Sequence, residues 1–145
     1  MTSPQLPFGY GTPIECCDAV TLVEAALDRA AALDITVAAA VADSAGELVC
    51  FQRMDGTQLG STDVAILKAR CAVRFKRSTA EWTVRVRDNP GILSIPGVIA
   101  VLGGIPIVRD EKIVGAIGIS GALPEQDEEC AKAGVEAHQK LSAST

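Results

Sequence analysis

Arg53 and Asp55 fall two positions apart at the end of ELVCFQRMDG (47–56), and Lys68 and Arg70 fall two apart in AILKARC (65–71). A guanidinium can grip a carboxylate through two parallel N–H donors, and a nearby carboxylate can orient a donor or take a proton. Lys68 adds a compact charge suited to a carboxylate or phosphate. With Asp43 or Asp55 as the proton-transfer group and Arg53 or Lys68 stabilising an enolate, these residues could isomerise or cleave a small oxygenated acid. They also have plainer uses. Arg53 can pair with Asp55 while Gly56 turns the chain, and Arg70, Arg74 and Arg77, spaced by four and three, suit a solvated helix face.

Other candidates come later in the chain. Gly103-Gly104 would let backbone approach a ligand, as would Gly115, Gly118 and Gly121, and the same glycines would equally allow tight sheet–helix packing. The segment GIPIVRDEKIVGAIG carries neither a Walker loop nor the dinucleotide-binding glycine spacing. Ser120 stands before the last helix, where it can meet an anion or cap the helix, and capping is the expectation because acidic residues follow. GISGA (118–122) lacks the spacing of a nucleophile elbow. His138, the only histidine, can bind iron or move a proton, and near a helix end it is expected to be partly exposed or locally hydrogen bonded. The five cysteines form no CxxC pair, so no metal site is expected; Cys50 and Cys71 read as core thiols that could ligate iron.

The elements that must position these groups can be read from periodicity. Residues 1–12, with Pro4, Pro7 and Gly9, form an arm, and residues 13–145 form a single domain. Thr12-Pro13-Ile14-Glu15 has the form of a helix start, Thr12 capping and Glu15 completing a capping box, with the helix running to Leu33. TVAAAVADSAGELVCFQRMDG is strand, turn, strand, with Asp43 and Gly46 in the turn. Helical spacing of Val64, Ile66, Leu67, Cys71 and Phe75 follows, and then a shorter helix capped by Thr79 and carrying Trp82. About three strands are expected from Gly91 to Gly121, two of them paired across Asp110-Glu111-Lys112, and a last helix from Pro124 through Leu141. The fold class is therefore α/β in the α+β sense, an antiparallel sheet with helices packed on it.

Composition narrows the function. The 145 residues are 48% hydrophobic but include only three phenylalanines, one tryptophan and one tyrosine, so the core must be close-packed aliphatic side chains. A net charge of −5 argues against a nucleic-acid partner. Locally the balance reverses: Lys68, Arg70, Arg74, Lys76, Arg77, Arg85 and Arg87 are set against Glu81 alone, which could draw in a small anion. The N-terminus has no signal-peptide pattern, and Gly103, Gly104 and Pro106 break the longest apolar run, so no membrane partner and a cytoplasmic location are expected.

VADSAGELVCFQRMDG, AILKARCAVRF and GGIPIVRDEKIVGAIGISGALPEQDEECAKAGVEA together resemble the GlcG/HbpS family, also described as DUF336, the haem-degrading domain, or the PduO C-terminal domain. The resemblance runs from about Ile14 to His138. It implies a profilin-like sandwich, assembly into homo-oligomers, and haem or another tetrapyrrole as ligand. It also aligns Arg53, Asp55 and Lys68 with family positions. Some haem-binding members carry a histidine on the first helix, and Ile14 to Leu33 contains none, so no axial histidine carries over. Two functional expectations follow: a binding protein for haem, another tetrapyrrole or a small anionic metabolite near Arg53, Asp55 and Lys68, or a cofactor-independent isomerase, tautomerase or lyase.

Overall fold

The computed structural model describes residues 5–144. Its elements, in chain order, are β1 (Gly9–Tyr10), α1 (Cys16–Ala32), β2 (Ala38–Asp43), β3 (Leu48–Arg53), α2 (Ser61–Arg74) and α3 (Thr79–Asp88). A 3₁₀ turn (Pro90–Ser94), β4 (Gly104–Arg109), β5 (Lys112–Ser120) and α4 (Pro124–Ser144) complete the chain. Strand β5 is the spine of a mixed sheet. It pairs antiparallel with β4 on one side and β2 on the other, β3 continues outward from β2, and β1 joins β5 in parallel at Lys112 and Ile113. The hairpins and the helices covering the sheet follow the expected α/β class; the parallel β1 pairing makes the sheet mixed.

Alanine and glycine dominate the centre of the sheet because helices press on both faces. Along β2, Ala39 and Val41 face the larger core with Leu22, Val23 and Ala26 of α1 and Cys130 and Ala131 of α4. Ala38 and Ala40 face Ala65 of α2, as the period-two alternation of a strand requires. Helix α1 buries Ala19, Leu22, Val23, Ala26 and Ala30, the stripe expected from a 3.6-residue repeat. Gly118 of β5 lies so near α2 that a Cβ there would stand 2.0 Å from the Ala65 carbonyl oxygen. Only the absence of a side chain permits that approach.

Three local expectations change. Helix α1 begins at Cys16, because the Gly11 and Ile14 amides donate to Ile113 and Val114 of β5 and hold the preceding segment extended. Ser78, not Thr79, caps α3 by accepting from the Ala80 amide. Two strands rather than three follow α3, since Ile95 and Val98 donate to Ile92 and Ile95 in local turns instead of to a sheet neighbour. Of the expected arm, residues 1–4 lie outside the described residues, while the Leu6 amide donates to the Lys76 carbonyl and the Tyr10 hydroxyl to the Val73 carbonyl. Trp82 of α3 is buried edge-on against Phe75, with ring centroids 5.3 Å apart, and Arg77 and Arg85 lie over its faces at 5.0 and 5.7 Å. Among the described residues, no helix is long and apolar enough to cross a membrane.

Candidate functional site

Lys68 sits on the face of α2 that meets β5, one turn beyond Ala65 and 1% exposed. Its Nζ donates to the Ile119 carbonyl at 2.7 Å and to Asp127 Oδ2 at 3.2 Å. The other Asp127 oxygen accepts from the Ala122 amide at 3.1 Å, which ties α4 to the end of β5. Burial pushes the Lys68 ammonium below its usual range, and Asp127 and Glu128 oppose that shift. Burial raises Asp127, against the pull of Lys68 and of the Ala122 and Gly121 amides. Glu128 is also raised by burial; Lys132, the Gly103 amide and Lys68 counter it, and its Oε1 has no hydrogen-bond partner. The nearby Cys130 thiol is pushed up to about 11, chiefly by burial and then by Asp127.

Gly103 and Gly104 close this centre. At Gly103, with φ of +125°, a Cβ would lie 2.6 Å from the Ile119 carbonyl oxygen and 2.9 Å from Lys68 Nζ. At Gly104 it would meet the Lys68 carbonyl oxygen at 2.5 Å, and the Gly104 amide donates to Thr79 Oγ1 at 2.9 Å. Three of the expected ligand-binding positions, Lys68, Gly103 and Gly104, are thus brought together, but with protein filling the space between them. The glycines admit backbone and an ammonium, so the arrangement can hold charge and lock elements in place.

The remaining candidates occupy the two ends of the β2–β3 hairpin. Arg53, paired in register with Ala38, reaches from the strand end toward the start of α2, where Nη1 lies 3.4 Å from Thr62 Oγ1. Asp55 is exposed in the turn that follows. At the opposite end, Asp43 Oδ1 accepts from the Ala45 and Glu47 amides, so this carboxylate caps the hairpin turn. Arg70 Nε donates to the Gly46 carbonyl in that same turn. Asp43 and Asp55 therefore share no cleft in which one could pass a proton to the other's substrate, and the Arg53 and Arg70 head groups mark the two ends of α2.

Ser120 is the last residue of β5 and is buried; its hydroxyl donates to Ser61 Oγ at 3.3 Å, so the expected capping role falls elsewhere. Gln126 performs it, Oε1 accepting from the Leu123 amide. His138 is neither partly exposed nor hydrogen bonded through Nε2: it is 2% exposed, and burial lowers its imidazole, with Arg109 acting the same way and Asp18 opposing. Cys50 packs with the α1 side of the sheet, and Cys71 lies beneath Trp82, its Sγ accepting from the Ile99 amide at 3.3 Å. Asp127 and Glu128 are among the acidic residues whose charge suits the start of α4, and sequence position alone does not mark them as buried. A finer signal was available: Asp127, Cys130, Ala131, Gly134 and His138 fall in phase on one helical stripe, placing the aspartate and the histidine inward.

Fold and site together define a class of small α/β protein in which a central β5, covered on both faces, is locked to its helices by a buried lysine–aspartate pair. The chain belongs to the HbpS-like family: the model described as haem degrading protein HbpS-like matches residues 14–136. GlcG of Escherichia coli K12 is 32% identical over 103 residues, 70% of this chain and 77% of that protein. The corrinoid adenosyltransferase PduO of Salmonella typhimurium is 31% identical over 121 residues, 80% of this chain but only 36% of that longer protein. Among solved structures, a PduOC:haem complex has a TM-score of 0.80 at 29% identity, covering 87% of this chain and 95% of that one. Klebsiella pneumoniae ORFY gives 0.85 at 27% identity over 94% and 98% of the two chains.

Proposed function

We propose that this chain is a tetrapyrrole-binding protein, with haem the candidate ligand, and that the ligand lies on the open side of α2. The observation that carries the reading is the extensive structural likeness to a relative solved with haem. The wall itself supports it. Phe51 and Ile66 extend the apolar surface begun by Ala38, Ala40 and Ala65, and Leu67 is exposed beside them. Asp63, Ile66, Leu67 and Arg70 line a depression of about 230 Å³. A flat apolar macrocycle suits such a surface, and Arg53 and Arg70 at its two ends offer countercharge to the ligand's carboxylates.

The depression is smaller than a whole tetrapyrrole, so part of the ligand would remain uncovered by one chain; a second copy closing over it is the homo-oligomer this reading calls for. Haem would bring a redox-active iron when bound. The wall carries no histidine, and Cys50, with its thiol raised by burial, belongs to the opposite face of the sheet. The chain's part is therefore apolar contact and charge neutralisation.

Titration of the purified protein with haemin, followed in the Soret band, tests this. A saturable shift at one haem per chain or per two chains is expected. Arg53→Ala and Arg70→Ala should each weaken binding about tenfold, the ~1.4 kcal/mol scale of one lost charge-assisted contact. His138→Asn should leave the spectrum unchanged. Absence of a saturable band, or equal affinity in the double arginine variant, overturns the proposal.

A further inference from the structure

A second concavity lies across the molecule, where the extended segment before α1 meets the start of β5 and the α4 stripe. It has a volume of about 520 Å³, within the range of small-molecule sites. Its walls carry both signs of charge: Lys112 and Asp110 at the β4–β5 turn, and Glu15 from the segment that leads into α1. None of these three is in an ion pair among the described residues, whereas Arg109, also at the wall, is held by Asp18 at 3.3 Å. Helix α1 opens into this space with Glu15 at its cap position, and no side chain caps its first turn. Its leading amides are thus available to an acceptor.

An independent observation marks the same place. His138 is among the residues that line the cavity, it is 2% exposed, and its buried Nε2 has no hydrogen-bond partner. A buried ring nitrogen left unpaired costs about 1–3 kcal/mol, so a group supplied from the cavity would remove a real penalty. Gly11 keeps the space in shape: a Cβ there would stand 2.6 Å from Lys112 Cβ, so the entering segment lies directly against the lysine stem.

We propose that this cavity is a binding site for a small zwitterion of the α-amino acid class. The ligand carboxylate meets Lys112 and the uncapped amides of α1, its ammonium meets Glu15 and Asp110, and a polar atom of the ligand pairs with His138 Nε2. Neither a simple anion nor a simple cation uses both sets of unpaired charges. The site is separate from the α2 wall and does not depend on the tetrapyrrole reading.

Because His138 is the only histidine, its ring signals in an NMR spectrum report this cavity without ambiguity. The protein would be titrated with a panel of L-α-amino acids, with acetate and ethylammonium as half-ligands, at constant ionic strength. At least one amino acid is expected to shift the His138 ring saturably, with each half-ligand at least tenfold weaker. Lys112→Gln and Glu15→Gln, both at exposed positions, should each weaken the response about tenfold without altering the fold seen by circular dichroism. No saturable shift with any amino acid, a response to acetate alone as strong as to the best amino acid, or a response unchanged in both variants overturns the proposal. Displacement of the bound amino acid by haemin would show a single shared site and overturn its separateness, while loss of haemin binding alone leaves the amino acid response intact.

Discussion

An ammonium as deeply enclosed as that of Lys68 is tolerated because Asp127 and the Ile119 carbonyl stand against it. Removing one member leaves the other charged and unpaired. Lys68→Met is therefore expected to destabilise the fold by about 3–5 kcal/mol, and adding Asp127→Asn, which keeps an acceptor for the Ala122 amide, should recover part of that loss. Denaturant unfolding of the single and double variants measures both. Glu128 gives a pH signature. Its folded-state pKa is raised, so its contribution to stability is whole below the ordinary glutamate range and is lost as pH rises through the raised value. Glu128→Gln should match the parent in Tm at pH 4 and exceed it at pH 8; a constant difference would contradict this. His138 runs the other way: its lowered pKa makes its contribution whole above about 6.5 and lost as pH falls through the lowered value. At this scale the sequence was legible in residue type more than in placement. Lys68 stood out as a charge among apolar neighbours, but whether it faced ligand or protein depended on Asp127, fifty-nine positions away.

Helix α2 lies against β5 through a missing side chain, and that contact sets the thickness of its layer. Gly118→Ala would place a methyl 2.0 Å from the Ala65 carbonyl oxygen and 2.6 Å from the Ala69 amide, both backbone atoms, so the helix must move bodily. A loss of about 1–3 kcal/mol or more is expected, with Tm as the readout. If the loss is small, α2 is more loosely seated than this geometry requires. The hairpins were readable because turn chemistry is local: Asp43 and Gly46 made the first turn, and Asp110 and Glu111, both at positive φ, make the second. The start of α1 was misread for a nonlocal reason. Thr12-Pro13-Ile14-Glu15 has good capping chemistry, yet amide bonds from Gly11 and Ile14 to β5 outweigh it. Likewise the apolar run near Ile95 looks like a strand until its amides are found closing turns.

Across the whole molecule the two helical layers are unequal. The α1–α4 side holds the large aliphatic cluster of Leu22, Val23, Val41, Ile117 and Ile119, whereas the α3 corner rests on a small cluster of Cys71, Trp82 and Val98. Hydrogen exchange should therefore be slowest in β2, β5 and the inner face of α1, and fastest around the Pro90–Ser94 turn. Uniform protection would contradict that division. Leu22→Ala, within the larger cluster, is expected to cost about 3–5 kcal/mol by chemical denaturation. The layered α/β plan was legible because strand and helix periods alternate clearly along the chain; which face each helix takes depends on packing between distant segments. The clamped position of Trp82 has an optical consequence. As the sole indole, held in a dry corner by Phe75 and two guanidiniums, it should fluoresce at short wavelength while that corner is intact. Its emission then reports the loosening of the weaker layer separately from the far-ultraviolet signal of the whole. On the same helical side of the sheet as the α2 wall, it is also an energy donor whose quenching would record a coloured ligand arriving there.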